Sequence, residues 1–132
     1  VENCKMNSPN LDIAIRLKTN SKRGGLIENF YVRNIEVGQV KEAVLKADMF
    51  YNVHGNQNGT FIPRIENIYL ENVKVKNGGK YSILAKGYKE SPIKNITLEN
   101  VTIENVKQPY SIENVNNLKF INTYINGKLV KD

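Results

Sequence analysis

The stretch Ile65-Glu66-Asn67-Ile68-Tyr69-Leu70-Glu71-Asn72-Val73 decides the fold of this 132-residue chain. An apolar residue precedes the first Asn, apolar residues then flank a polar one, and a second Asn leads into another apolar residue. Apolar and polar side chains alternate between the two Asn residues, which is the period of a β-strand. Asn adopts the left-handed backbone conformation more readily than branched residues do. Each Asn is therefore predicted to form a corner between two short strands.

The same pattern occurs four times. The segments are Ile27–Ile35, Ile65–Val73, Ile93–Val101 and Val115–Thr123. The spacings between their first Asn residues are 38, 28 and 22, which is too uneven for helical repeats of constant length. A strand, corner, strand unit cannot bury its apolar face alone, whereas stacked units share a continuous core. We predict an all-β chain folded as a right-handed, single-stranded parallel β-helix with Asn stacked above Asn.

Residues 1–132 are predicted to form a single domain made of turns of this β-helix. Val1–Met6 matches the second half of a unit, so we expect the chain to start within a turn and further turns to lie upstream. The short, charged segment Gly127–Asp132 is typical of a natural C-terminal finish, so only the N-terminal end is expected to expose the core. A β-helix cut within a turn exposes unpaired strand edges and apolar core, so we expect end-to-end self-association at the N-terminal end.

Composition gives weaker constraints. Nineteen Lys and Arg residues against 13 Asp and Glu give a formal charge of +6, which favours an anionic partner. There is no nucleic-acid-binding motif, and acidic residues are interspersed among the lysines, so we predict neither a nucleic-acid nor a membrane partner. The single cysteine, Cys4, excludes an internal disulfide and is expected to be buried. Four lysines occupy outward strand positions, where charge opposes β aggregation: Lys74, Lys76, Lys94 and Lys119.

One basic pair differs from these scattered lysines. In Leu11-Asp12-Ile13-Ala14-Ile15-Arg16-Leu17-Lys18-Thr19 the odd positions are mostly aliphatic, so Arg16 and Lys18 leave the same outer face of a strand. Their Cα atoms would lie roughly 6 to 7 Å apart. A guanidinium can hold a carboxylate through two hydrogen bonds while a neighbouring ammonium adds a mobile charge. The pair is a candidate clamp for a sugar acid, and an ordinary exposed strand is the alternative interpretation.

The surrounding sequence resembles a known family. Ile15-Arg16-Leu17-Lys18-Thr19-Asn20, followed by Arg23-Gly24-Gly25 and the Asn-cornered strand, is similar to the Arg-x-Lys segment of family 28 glycoside hydrolases, the polygalacturonases. The resemblance extends over essentially the whole chain. The fold of that family is a right-handed parallel β-helix, which the repeat predicts independently.

The resemblance implies hydrolysis of α-1,4 links between galacturonic acids of pectin, with inversion. The arginine and lysine of the family motif bind the substrate carboxylate beside the cleavage point, and they match Arg16 and Lys18. A tyrosine on a following turn also lines the family's cleft. Its match is expected at Tyr51, with Tyr31 and Tyr69 in similar outward positions. The implied partner is a pectic polysaccharide or oligogalacturonide, with no cofactor and no metal, in a secreted or periplasmic protein.

The catalytic acids are expected outside this chain. Inverting hydrolysis needs two carboxyl groups roughly 6.5 to 9.5 Å apart. The family carries its aspartates in an Asn-x-Asp motif and an Asp-Asp pair, followed by a Gly-His-Gly motif, all upstream of Arg-x-Lys, and we expect none of these three motifs in this chain. The aspartates here, Asp12, Asp48 and Asp132, are isolated from one another, and His54 lacks the first glycine. We therefore predict that the chain alone is inactive. A noncatalytic β-helix module that binds acidic polysaccharide is the alternative, while a calcium-dependent pectate lyase is disfavoured because no acidic cluster is present.

Overall fold

The structure is a computed structural model, described here for residues 2–18, 26–49 and 63–130. Within these residues the chain forms strands, and no helix is long and apolar enough to cross a membrane. The strands are β1 (Glu2–Met6), β2 (Ile13–Lys18), β3 (Leu26–Gln39), β4 (Ala43–Asp48), β5 (Arg64–Asn77), β6 (Gly79–Lys86), β7 (Ile93–Ile103), β8 (Val106–Glu113), β9 (Val115–Ile121), β10 (Thr123–Ile125) and β11 (Lys128–Val130).

The strands form two sheets, and the chain passes from one to the other in every turn. The long-strand sheet has the order β1-β3-β5-β7-β10-β11, and β9 also pairs with β7. The short-strand sheet has the order β2-β4-β6-β8. All pairings are parallel except that of β10 with β11. Successive turns therefore stack as a right-handed parallel β-helix, which confirms the predicted fold.

Asparagines form the corners of the long strands. We call Asn29, Asn67, Asn95 and Asn117 the Asn ladder; their φ angles lie between 52° and 68°. Each side-chain amide donates to the amide oxygen one turn earlier, at 3.0, 2.9 and 2.8 Å along the ladder. The second corner repeats this arrangement, with Asn34 donating to Asn3 and Asn72 donating to Asn34. Positive φ and a short amide side chain are both needed here, so the prediction of Asn stacked on Asn is confirmed.

The core lies between the two sheets and is built from stacked aliphatic residues. Ile68 pairs in register with Ile96, and both are fully buried. On the facing sheet Leu45 pairs with Ile83, and both are also fully buried. Because inward positions are filled by identical or similar side chains in each turn, the alternate positions of every strand point outward. The outward residues are consequently available for other contacts.

Two local expectations need correction. Cys4 is only partly buried, and its thiol lies 3.3 Å from the carbonyl oxygen of Glu2. The reason is that β1 is the edge strand of the long-strand sheet among the described residues. At the other end, Tyr110 and Ile112 align with the buried Ile83 and Ala85 but are 42% and 40% exposed, because β8 is also an edge strand.

A hairpin lies at the C-terminal end of the described residues. A tight turn at Asn126-Gly127, with both φ angles positive, folds β11 back against β10 as an antiparallel hairpin. The hairpin extends only the β10 part of the long-strand edge, because β9 pairs with β7 alone among the described residues. The short-strand sheet has no such cover within the described residues, so the prediction that only the N-terminal end exposes core was wrong for β8.

Candidate functional site: the outer face of the short-strand sheet

Strand β2 positions the Arg-x-Lys pair. Ile13, Ile15 and Leu17 are buried at 7–8% exposure and point into the core. The alternating positions Arg16 and Lys18 are exposed and leave the opposite face. The aliphatic residues thus fix the backbone of β2 while both cations project outward from one surface. This is the placement that the sequence predicts, whereas a binding role for the two residues remains a prediction.

The register of the parallel strands extends this surface into two rows. The Arg16 row crosses the sheet from Arg16 through Lys46 and Leu84 to Ser111. The Lys18 row runs beside it from Lys18 through Asp48 and Lys86 to Glu113. Neighbouring strands lie about 4.8 Å apart, so each row continues the Arg-x-Lys pair along the axis of the β-helix.

Lys46 already has a partner in the Arg16 row. Its ammonium lies 3.0 Å from the Glu42 carboxylate, and the two side chains are 22% and 34% exposed. Partial burial and this ion pair hold the Lys46 side chain in place and offset its charge. Lys46 therefore contributes less positive potential to the face than its formal charge suggests.

A small cavity opens beside Lys46. Its volume is about 130 Å³, and its lining residues come from β4, β6 and the residue before β4: Glu42, Lys46, Ala47, Asp48, Leu84 and Lys86. Leu84 is a half-buried aliphatic side chain on an otherwise polar outer surface. The cavity therefore combines charged groups at its sides with one apolar residue, a composition suited to a sugar ring that has both C–H and hydroxyl surfaces.

The cations of this face differ in their ion pairing. Among the described residues, neither Arg16 nor Lys86 takes part in an ion pair, and both side chains are exposed. Lys46, in contrast, is bound to Glu42. Arg16 and Lys86 can therefore bind an anion without first breaking an ion pair to another described residue.

The acidic residues of the described chain do not assemble into a metal site, since no group of three or more His, Cys, Asp or Glu side chains lies close enough together there. The prediction that none of the family's three motifs occurs was wrong for Asn-x-Asp. Asn10-Leu11-Asp12 has this spacing and directly precedes β2, whereas no Asp-Asp pair occurs in the 132 residues. The exposed Asp12 side chain and the half-buried Asp48 therefore stay isolated acids in sequence. Asp132 lies outside the described residues.

The tyrosines divide between the two sheets. Tyr31 and Tyr69 stack with ring centroids 4.9 Å apart and an interplanar angle of 8°, but they belong to the long-strand sheet. They do not share the outer face of Arg16, which removes them as alternatives to Tyr51. Tyr51 itself, and His54, lie outside the described residues.

Sequence reasoning missed Lys46, Leu84 and Lys86. The alternation in Lys80-Tyr81-Ser82-Ile83-Leu84-Ala85-Lys86 was the available signal for β6. The sequence does not predict which residues of β6 align with those of β2, because the connections between short strands vary in length and no Asn corner marks the register.

Comparisons with known proteins agree with this architecture. The family model described as glycosyl hydrolases family 28 matches residues 1–123. Among solved structures, the chain is similar to a hyperthermoactive exopolygalacturonase from Thermotoga maritima, with a TM-score of 0.86 and 29% sequence identity. That match covers 96% of this chain and 27% of the exopolygalacturonase chain. The comparison with curated proteins gave no match. Because the family model covers nearly all of its length, the chain belongs to glycosyl hydrolases family 28.

Proposed function

We propose that the full-length protein hydrolyses α-1,4-galacturonosyl links of pectin or polygalacturonate with inversion. In this proposal the outer face of the short-strand sheet holds a galacturonate carboxylate through Arg16 and Lys18. Family membership and the similarity to an exopolygalacturonase support the reaction class. The chain spans about a quarter of that enzyme, and we assign the rest of the catalytic machinery to other turns of the protein.

The observation that carries the proposal is the geometry of β2. A guanidinium and an ammonium leave the same exposed face two residues apart, on a strand whose other face is anchored in the core. Such a pair matches the charge and shape of a carboxylate, and because the backbone of β2 is already anchored, binding has to order only the two side chains. Tyr51, three residues after β4, is proposed as a third contact with the sugar.

This part of the protein acts by orientation rather than by proton transfer. Inversion requires one carboxylic acid to protonate the leaving oxygen and a carboxylate to activate water on the opposite face of the sugar. We assign both groups to turns that precede Arg16, so the residues of this chain alone are not expected to catalyse hydrolysis. Fixing the sugar carboxylate against Arg16 and Lys18 would align the scissile bond with those acids.

Product stereochemistry tests the proposed reaction. The full-length protein is incubated with polygalacturonate, and proton NMR follows the anomeric configuration of the first product before mutarotation. An inverting enzyme acting on α links yields the β anomer first. The control is the same polymer with its carboxylates fully methyl-esterified, which removes the charge that Arg16 and Lys18 are proposed to bind. Equal hydrolysis of both polymers, or an α product, would contradict the proposal.

A noncatalytic module for acidic polysaccharide is the second candidate. The basic, rigid face of β2 is sufficient for binding without any catalytic acid. Tight binding of polygalacturonate by the full-length protein, with no new reducing ends after prolonged incubation, would favour this function. Under either function the ligand is a polymer found outside cells, so we propose a secreted or periplasmic protein.

A further inference from the structure

We propose that Lys86 binds a second carboxylate of the same substrate chain. If the sugar held by Arg16 and Lys18 is the first, this carboxylate belongs to the third sugar. This inference rests on the proposed function and extends it toward the C-terminal turns. It assigns to β2, β4 and β6 three consecutive sugar positions that differ in their preference for a charged carboxylate.

The spacing of the strands supports this assignment. Lys86 is separated from Lys18 by one strand within the Lys18 row. At about 4.8 Å between strands, β2 and β6 are about 9.5 Å apart, which is about the length of two sugar residues of a linear polysaccharide. A chain lying along the β-helix axis with one carboxylate at β2 therefore brings its third sugar over β6.

Lys86 is better suited than Lys46 to hold that carboxylate. The Lys46 ammonium is 3.0 Å from Glu42 and largely shielded, so binding an anion there means sharing or breaking an ion pair. Lys86 is exposed and has no ion pair among the described residues. Leu84 lies two residues before it and lines the adjoining cavity, where the C–H face of a sugar can pack.

Asp48 sets a different preference for the middle position. It lies between Lys18 and Lys86 in the same row, one strand from each, and lines the same cavity. A substrate carboxylate directed at Asp48 would be repelled, whereas sugar hydroxyls could donate hydrogen bonds to it. The middle sugar is therefore expected to present its hydroxyls, or an esterified carboxyl group, to β4.

Binding of oligogalacturonates of defined length tests the inference. Full-length Lys86→Gln is compared with full-length Lys94→Gln, which removes the same charge from the long-strand sheet. Binding of di-, tri- and tetragalacturonate is measured by calorimetric titration at a temperature where no new reducing ends form. We expect Lys86→Gln to weaken binding of the tri- and tetrasaccharide about five- to tenfold, with the disaccharide unchanged within about twofold. Lys94→Gln should leave all three affinities unchanged.

The outcomes separate this inference from the proposed function. If Arg16→Gln weakens binding at every length while Lys86→Gln changes none of them, or weakens the disaccharide equally, the inference is wrong and the proposed function stands. If Arg16→Gln changes none of the affinities, both the inference and the proposed function are wrong. Asp48→Asn provides a second check. Because the second sugar of a disaccharide also lies over β4, removing the repulsion should tighten binding of the di- and trisaccharide alike, by about threefold. A weaker trisaccharide affinity in Asp48→Asn would overturn the role given to the middle position.

Discussion

The Asn corners of the long-strand sheet and the outer face of the short-strand sheet stack through the same turns, yet the residues that follow one another along them differ in kind. Along the Asn ladder the same residue returns in every turn and bonds to its copy at 2.8 to 3.0 Å. Along the Arg16 row the residue changes in every turn, from Arg16 to Lys46, Leu84 and Ser111. Because identical Asn residues lie in register, their side-chain amides bond to one another and stabilise the corners, which is a structural role. Variation in register leaves a surface whose chemistry differs from strand to strand, as a chain-like ligand requires.

We expect Arg16 to serve function and Asn67 to serve stability, and substitutions at the two positions test this difference. The largest effect is expected for Arg16→Ala in the full-length protein. Loss of a bidentate, charge-assisted contact should lower kcat/KM on polygalacturonate at least about 100-fold, since such hydrogen bonds contribute roughly 3 kcal/mol or more. Steady-state kinetics and thermal unfolding measure the two properties separately. An unchanged kcat/KM, or a loss explained by a lower Tm, would contradict the assignment.

Asn67→Ala should produce the opposite pattern. Asn67 holds φ at 61°, donates to Asn29 and accepts from Asn95. Alanine loses both hydrogen bonds and is strained at positive φ, so we expect about 2 to 3 kcal/mol less stability in chemical denaturation. Asn67→Gly is the matched control, because glycine accepts this φ and isolates the hydrogen-bond contribution. At a temperature where the variants remain folded, kcat/KM should be unchanged; a selective loss of kcat/KM would contradict a purely structural role.

A smaller effect is expected from Glu42→Gln, which tests whether Glu42 lowers the positive charge of the short-strand face. Removing the carboxylate releases the Lys46 ammonium from its 3.0 Å ion pair. The freed charge should strengthen binding of an anionic polymer about two- to fivefold at low salt, and the gain should shrink as ionic strength rises. Polymer affinity measured against salt concentration checks this. A weaker affinity would show that Glu42 itself contacts the ligand.

The smallest effect is expected on the long-strand sheet, at Arg33. Its guanidinium lies 3.4 Å from the Glu71 carboxylate and 5.2 Å from the centre of the Tyr31 ring, and the side chain is about half exposed. Exposed pairs of this kind contribute little, so Arg33→Gln should cost less than about 1 kcal/mol of stability. It should also leave kcat/KM unchanged, although it removes the same type of charge as the change at Arg16. A lower kcat/KM in Arg33→Gln would indicate that substrate contacts the long-strand sheet, which would contradict the proposed site.

The long-strand sheet was the predictable part of the molecule. An Asn at a positive-φ corner, flanked by alternating apolar residues, is a local signal, and equivalent signals in four segments fix their mutual register. Asn105 and Asn114 also form positive-φ corners, but they lie outside those four segments and were not identified. The strand of Arg16 was predictable too, because its alternation is unbroken.

The rest of the short-strand face depended on tertiary register. Lys46 and Lys86 lie on the Arg16 side only because β4 pairs with β2, and β6 with β4, at particular residues, and nothing local encodes that pairing. Burial of Cys4 was overestimated for a similar reason, since the sequence pattern identifies a strand but not whether another strand covers it. The local signals therefore predict corners and strand faces, while neighbours across strands require the assembled turns.

A crystal structure of the full-length protein with a bound oligogalacturonate would show whether the short-strand face holds the substrate. The account predicts a sugar chain along the outer face of the short-strand sheet, with one carboxylate about 2.7 to 2.9 Å from the Arg16 guanidinium and near the Lys18 ammonium. A ligand bound to the long-strand sheet, or one on the short-strand sheet whose carboxylates make no contact with Arg16, would contradict it.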